Sequence, residues 1–455
     1  MRNHDRPVVV GLLSTILAVA FVAARADAQV DAPATAPAGL ADAAWDVDFF
    51  PILPWDHLPL TKDRAQADRR IEGIAECGFT IAGFVQPEDL PACERLGLKA
   101  IMGAPRAKSP FARGGWKNLS DEDIDRYVRE LVDSSRHSPA VIGYYIMDEP
   151  GAPAFGALAK AVAAVRRHAP GKLAYINLFP GYATIGAPDR SQLGTASFTE
   201  YLERYVAEVR PQFLSYDNYM VQYSDDLRNP VQAAQYYRDL LEVRRVAARH
   251  GLPFWNIVSS NQIRPVTPPP SPGNMLLQAW TTLAAGGRGV SWYTYWSRGY
   301  GYAPLNSGGT RTETWDYLRI VNRQLQVIGP MMNRLRSTGV YFAGPVPLEN
   351  VPTLPGRLVE SVTATVSLRQ ESAEQLPIMV GEFAGADGDY VIFVNLSLAA
   401  SVNIKPKLVT PGVEMHVISA AEARPVVLDT AARGHWLVSG QGVLVKLVPS
   451  AQPRP

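Results

Sequence analysis

Apolar runs alternate with amphipathic stretches along most of this chain. Val47–Leu53, Phe79–Val85, Leu98–Gly103, Val141–Met147, Leu173–Phe179, Phe213–Met220, Phe254–Ser259 and Gly289–Trp296 are short and rich in β-branched and aromatic residues. They read as buried strands. Helical periodicity fills the gaps: Ala65–Glu76, Pro87–Leu96, Ser120–Ser135, Phe155–His168, Phe198–Val209, Val231–His250, Met275–Ala285 and Thr312–Leu335. Ser120 followed by Asp121, Glu122 and Asp123 is a helix start, a hydroxyl cap with acids in the first turn. Eight strand–helix units over about 290 residues predict an α/β fold, a (β/α)8 TIM barrel over 45–335. A doubly wound sheet would carry a glycine-rich phosphate turn after an early strand, and this chain has none. From Gly339 the period drops to two. Val362–Leu368, Ile378–Phe383, Tyr390–Asn395, Ala400–Ile404, Val413–Ile418 and Gly442–Leu447 are separated by turn residues such as Gly385 and Asp387-Gly388. This predicts a small C-terminal all-β sandwich over 339–449.

The N-terminus has a different pattern. Arg2 and Arg6 precede an apolar run from Val8 to Ala24, and Ala26-Asp27-Ala28 fits a small-residue cleavage site. Residues 1–28 therefore read as a signal peptide and 29–44, rich in Ala, Pro and Asp, as a flexible leader. The expected location is periplasmic or extracellular, with no stable membrane insertion after cleavage. An apolar content of 47% supports a sizeable core, and a net charge of +1 without charged blocks excludes nucleic acid and anionic membranes as expected partners. Two cysteines, Cys77 and Cys93, fall near the same end of the predicted repeat, either joined or buried as free thiols.

Candidate chemistry collects where the predicted strands end, the face on which α/β barrels bind ligands. The fourth strand stops abruptly at Asp148-Glu149-Pro150-Gly151. A half-desolvated carboxyl group there has a raised pKa and suits general-acid work near neutral pH. The bland alternative for Glu149 is a charge at the start of the next helix. Trp55, Asp56 and His57 end the first strand, Asn177 the fifth, and Tyr216, Asp217, Asn218 and Tyr219 the sixth. Asn256 and Gln262 belong to the seventh, and Trp292, Tyr293, Tyr295 and Trp296 to the eighth. Carboxylates and amides that bond hydroxyls, beside flat rings that stack on a pyranose, point to a carbohydrate substrate. No histidine or acid spacing matches a metal site, no Gly-x-Ser-x-Gly elbow is present, and no cofactor is expected.

These residues resemble a clan A glycoside hydrolase, the (β/α)8 group that includes the family 42 β-galactosidases. Met147-Asp148-Glu149-Pro150 resembles the Asn-Glu-Pro that ends the clan's fourth strand, Gly289–Trp296 its aromatic eighth strand, and Thr312–Arg336 the last barrel helix before an appended β domain. The resemblance implies a glycosidase with Glu149 as acid/base. Two positions depart from it. Asp148 stands where the clan has Asn, and Trp255–Gln262 holds no carboxylate where the clan's seventh strand ends in its nucleophilic Glu. Three readings follow, in order of preference. Asp217 is the second carboxylate, as nucleophile or as base for water. Alternatively Asp148 assists an acetamido sugar, as the adjacent Asp-Glu of the similar family 20 hexosaminidases does. Last, the barrel binds carbohydrate without cleaving it. Ser215 and Asp217 alternate onto one face of their strand, and small Ser215 fits an inward face, which aims Asp217 at the mouth.

Overall fold

A computed structural model describes residues 47–55, 61, 63–103, 110, 115–135, 137–184, 191–223, 233–345, 348–366, 375–427 and 434–450. The predicted signal peptide, leader and cleavage site lie outside these residues, as do Asp56 and His57.

Eight parallel strands form the barrel: β1 (Ile52–Pro54), β2 (Ile81–Val85), β3 (Lys99–Met102), β4 (Val141–Asp148), β5 (Leu173–Asn177), β6 (Leu214–Asp217), β7 (Phe254–Ser259) and β8 (Val290–Tyr293). Pairing runs β2-β3-β4-β5 and β6-β7-β8-β1. Leu178 N donates to Ser215 O (2.8 Å) and Thr80 N to Ile52 O (3.1 Å), joining the two halves into a closed ring. Eight helices follow the strands: α1 (Arg64–Glu76), α2 (Leu90–Arg95), α3 (Asp121–Ser134), α4 (Phe155–His168), α5 (Phe198–Val209), α6 (Ala233–Arg249), α7 (Pro272–Ala284) and α8 (Glu313–Asn333). Ser120 accepts from Asp123 N (3.1 Å) and Ser197 from Glu200 N (3.1 Å), so hydroxyl caps fix where α3 and α5 begin.

Two cores separate by strand alternation. Leu53, Phe84, Ile101, Ile142, Tyr175, Trp255 and Ile257 fill the barrel interior. Residues of the opposite parity, such as Leu214, Val258 and Val290, pack against the helices. Cys77 and Cys93 are free and buried in that outer layer, and burial pushes the Cys93 thiol up to about 12.

After α8 the chain turns into antiparallel sheet. A six-stranded sheet runs β15 (Pro425–Val427), β14 (Val413–Ile418), β17 (Gly442–Pro449), β12 (Gly388–Asn395), β11 (Ile378–Gly385), β9 (Arg336–Ala343). A three-stranded sheet holds β10 (Val359–Thr365), β13 (Val402–Leu408) and β16 (His435–Leu437). A separate apolar core, including Val380, Phe393, Ile404 and Val445, fills the space between the two sheets. β9 starts three residues before Gly339, and β15 and β16 are three-residue strands too short to show a period.

The larger sheet sits on α7, every residue of which from Met275 to Ala284 is buried. Backbone meets backbone there. A Cβ on Gly381 would lie 2.2 Å from Ala284 O, and one on Gly442 2.6 Å from the Trp280 ring. Gly381→Ala is therefore expected to lose about 1–3 kcal/mol of stability, because a carbonyl fixed in a helix cannot move aside. Gly156→Ala, in the exposed first turn of α4 with nothing within 4 Å, should instead gain up to about 1 kcal/mol. Denaturant unfolding of the two variants beside the parent tests both signs.

Candidate active site

The acids reach the barrel mouth through an irregularity in β4. Tyr145 pairs with Tyr175 and Met147 with Ile176, which leaves Ile146 without a partner on β5. Such a bulge resets the in–out alternation. Tyr145 faces the interior, so strict alternation would send Asp148 outward. The extra residue instead sets Asp148 opposite Asn177, on the inward face that Asn177 shares with Tyr175. The next residue, Glu149, has φ 45°, a left-handed backbone uncommon for a side-chain-bearing residue. Its N–H donates to Asn177 O at 2.9 Å. That turn keeps Glu149 beside Asp148 and lets its carboxyl group hydrogen-bond Asp217. Conformations of this kind cost about 1–3 kcal/mol and persist where the surroundings impose them.

Asn177 is the hub. Its Nδ2 donates to Asp148 Oδ1 (3.0 Å) and to Asp217 Oδ1 (2.9 Å), which uses both amide hydrogens. Its Oδ1 accepts from Ser215 Oγ (3.1 Å), and Ser215 Oγ lies 3.0 Å from Tyr175 OH. Ser215 and Asp217 do share the inward face of β6. Desolvation is the main cause of raised pKa values throughout the cluster. Asp148 is pushed up to about 6, with the Asn177 bond and the Arg298 charge opposing the rise. Glu149 goes to about 7, driven by burial and then by the Asp148 charge. Asp217, 2% exposed, is pushed well up by burial and by both neighbouring acids. The bond between the two favours a proton on Asp217 and charge on Glu149.

The other sequence candidates divide. Trp55 lies in the interior against Phe84, Tyr145 and Tyr175, with centroids at 4.7, 6.1 and 5.3 Å. Tyr219 stacks on Tyr293 at 5.1 Å and feels the charges of Asp217 and Asp148. Four candidates point the other way, into the helix layer: parity sends Tyr216, Asn256 and Trp292 there, and Tyr295 reaches it from beyond the end of β8. Tyr216 packs there beside Tyr236 and Asp239. Asn256 donates to Thr282 Oγ1 on α7 (2.9 Å), and Trp292 to Asn322 Oδ1 on α8 (2.9 Å). Tyr295 OH donates to Gly73 O on α1 (3.0 Å). Trp296 packs under Arg70, whose guanidinium is 5.6 Å from the ring, and Gln262 joins two rim loops through Gly301 O and Thr267 O. Strand-end position alone gathered these residues; face parity separates those that lie within the strands. Parity also finds what the sequence reading passed over. Tyr175 sits two residues before Asn177 on the same face, and Tyr300 OH is 2.8 Å from Tyr293 OH, extending the aromatic wall. β7 ends inward at buried Ser259, whose backbone is clamped by Gln278 at 2.8 and 3.0 Å. Among the described residues no group of three or more His, Cys, Asp or Glu is arranged to hold a metal, and no helix is long and apolar enough to cross a membrane.

Residues 193–322 match the family model described as beta-galactosidase, glycoside hydrolase family 42. That segment runs from the start of α5 to the middle of α8 and carries Asp217, Tyr219 and Tyr293. The chain resembles the family 42 glycoside hydrolases. Solved structures agree on the fold. A glycoside hydrolase family 5 protein from Bacteroides vulgatus ATCC 8482 shares 12% identity at TM-score 0.51, with 89% of this chain and 90% of that one covered. A further glycoside hydrolase shares 12% at TM-score 0.52, covering 89% and 94%. The beta-galactosidase of the psychrophilic Marinomonas ef1 shares 13% at TM-score 0.47. The alignment spans 64% of this chain and 62% of the length of that enzyme. No curated protein matches. This family 42-like barrel departs from the clan pattern at two places seen above, Asp148 before Glu149 and Ser259 at the end of β7.

The raised pKa of Asp148 has a consequence for stability. The folded state holds that proton more tightly than the unfolded chain, whose Asp titrates near pH 3.9. The contribution is therefore fully present below about pH 4 and is lost as pH rises through about 6, a change of roughly 3 kcal/mol. Asp148→Asn keeps an acceptor for Asn177 without the charge. It should raise Tm relative to the parent at pH 8, and the difference should vanish at pH 4 in a thermal-unfolding series.

Proposed function

We propose that the protein is an exported glycoside hydrolase in which Glu149 is the general acid/base. The observation that carries this is the direct hydrogen bond between the half-buried Glu149 and the buried Asp217 in an aromatic-walled barrel mouth. Glu149 is partly exposed at the barrel mouth, titrates near the pH at which an acid/base group works best, and hydrogen-bonds a second carboxyl group. Carboxyl groups near enough to hydrogen-bond are closer to the separation of about 5–5.5 Å of a retaining pair than to the separation of about 6.5–9.5 Å that an inverting water needs. Asp217 is the first choice for the nucleophile, once substrate binding and loss of its proton free its carboxylate. The family likeness and the stacking surface of Tyr219 and Tyr293 support a sugar as substrate.

A second reading has its own support. Asp217 is almost fully buried and engaged by both Asn177 and Glu149, whereas Asp148 is partly exposed and its burial-driven rise is held down by the Asn177 bond and the Arg298 charge. An ionised Asp148 beside a protonated Glu149 could orient the acetamido group of an N-acetylated sugar, whose carbonyl oxygen then attacks the anomeric carbon. The mature protein on a panel of aryl glycosides and polysaccharides separates the two. With Asp217 as nucleophile, Asp217→Ala loses turnover on sugars without an acetamido group and azide restores part of it as a glycosyl azide. With substrate assistance, only N-acetylated sugars are cleaved and Asp148→Asn abolishes the reaction.

Both readings require Glu149. Glu149→Gln should lower kcat about 10²–10⁴-fold while KM changes little. In the parent, kcat/KM should fall as pH rises above about 7, where Glu149 loses its proton. Near-parental turnover by Glu149→Gln on a substrate that the parent cleaves would remove the assignment.

A further inference from the structure

Several strand ends around the barrel mouth are gripped from outside by a side chain on a barrel helix. Tyr201 OH, on α5, donates to Pro150 O (2.6 Å), next to Glu149. Gln278, on α7, clamps Ser259. The grip behind Asp217 is different because it is a carboxylate. Asp239, on α6, is 2% exposed and has no role in the chemistry proposed above. Its Oδ2 accepts from Gly181 N (2.8 Å) and from Asn218 Nδ2 (2.7 Å). Gly181 opens the loop after β5, and Asn218 directly follows Asp217.

We infer that Asp239 is a positioning residue, which sets the aim of Asp217 and Tyr219 by holding Asn218 and Gly181 from behind the barrel wall. This rests on the reading of the acid cluster as catalytic. Asn218 is fixed on three sides. Its N–H donates to Ile257 O (3.2 Å), its Oδ1 accepts from Met220 N (2.9 Å), and its Nδ2 is held by Asp239. The Met220 bond makes a tight turn that sets Tyr219 against Tyr293, in front of Asp217. Release of the amide would free that turn and the last residue of β6 together. The loop on the other side leaves no slack. A Cβ on Gly181 would lie 2.3 Å from Asp239 Oδ1, so only glycine lets the loop close onto the carboxylate. Burial pushes the Asp239 carboxyl up to about 7, with the bonds from Gly181 and Asn218 and the Arg238 charge opposing this and Glu242 adding to it. A buried acid of this kind costs stability, in keeping with a position kept for geometry.

The test compares Asp239→Asn, which retains an oxygen for both donors, with Asp239→Ala and Gly181→Ala, which break the grip from either side. On a substrate that the parent cleaves, Asp239→Ala and Gly181→Ala should lower kcat per folded molecule about 10–100-fold, with KM within about threefold, as expected for a catalytic group displaced by about 1 Å. Asp239→Asn should recover most of the loss. A second readout needs no substrate. Carbon-13 NMR titration of the side-chain carboxyls should show the apparent pKa values of Asp148, Glu149 and Asp217 displaced in the alanine variants and near-parental in Asp239→Asn. Unshifted carboxyl titrations in folded Asp239→Ala and Gly181→Ala, or kcat within threefold of the parent, would overturn the inference. If Asp239→Ala does not fold, Gly181→Ala decides alone. Shifted titrations in a protein that cleaves no glycoside would leave the positioning role standing and defeat the glycosidase reading.

Discussion

One amide holds the candidate site together. Asn177 spends both of its Nδ2 hydrogens on two carboxyl groups and its backbone oxygen on the N–H of Glu149, which brings a third within reach. Three acids at one barrel mouth repel when ionised and resist desolvation when buried. The cluster survives by keeping protons and by donating fixed hydrogen bonds to the oxygens that lose them. The bulge in β4, the left-handed turn at Glu149 and the small Ser215 that makes room beneath Asn177 are each local departures or accommodations that this arrangement requires.

The aromatic surfaces follow from the same geometry. Trp55, Tyr145 and Tyr175 fill the interior on one side of the acids, and Tyr219, Tyr293 and Tyr300 stand on the other. Rings of this kind exclude water from the acids, which keeps their pKa values high, and offer faces to the C–H side of a sugar. Acidity and sugar affinity therefore share a cause.

Much of this was legible in the sequence. The apolar run that stops at Asp148-Glu149 marked the site, and simple alternation from Ser215 placed Asp217 inward. Alternation also separates Trp292 from Tyr293 at the aromatic strand end, but not Tyr295, which lies past the last residue of β8. Trp292 and Tyr295 look like sugar contacts by composition, yet they anchor the helices, while Tyr293 between them faces the mouth. The bulge at Ile146 has no sequence signal, because it exists only as a mismatch in register with β5. Nor does the left-handed Glu149, since nothing in its neighbours demands glycine-like backbone. Gln278 and Asp239 are distant in sequence from the residues they hold, so only the folded chain reveals them. In the C-terminal region β15 and β16 are shorter than any period that could announce them.

The seating of α7 bears on how the molecule is made. A barrel helix ordinarily shows one face to water, but this one is walled in by β11, β12 and β17, with Trp280 lying directly beneath Gly442. The last of those strands begins at Gly442, far along the chain from α7, which ends at Ala284. Until it arrives, the seventh β/α unit carries an unroofed apolar surface around Trp280 and Ala284, the sort of surface that chaperones bind and that drives aggregation. The nascent barrel is thus kept waiting for strands that follow it, and a chain lacking β17 would meet quality control before it met a substrate.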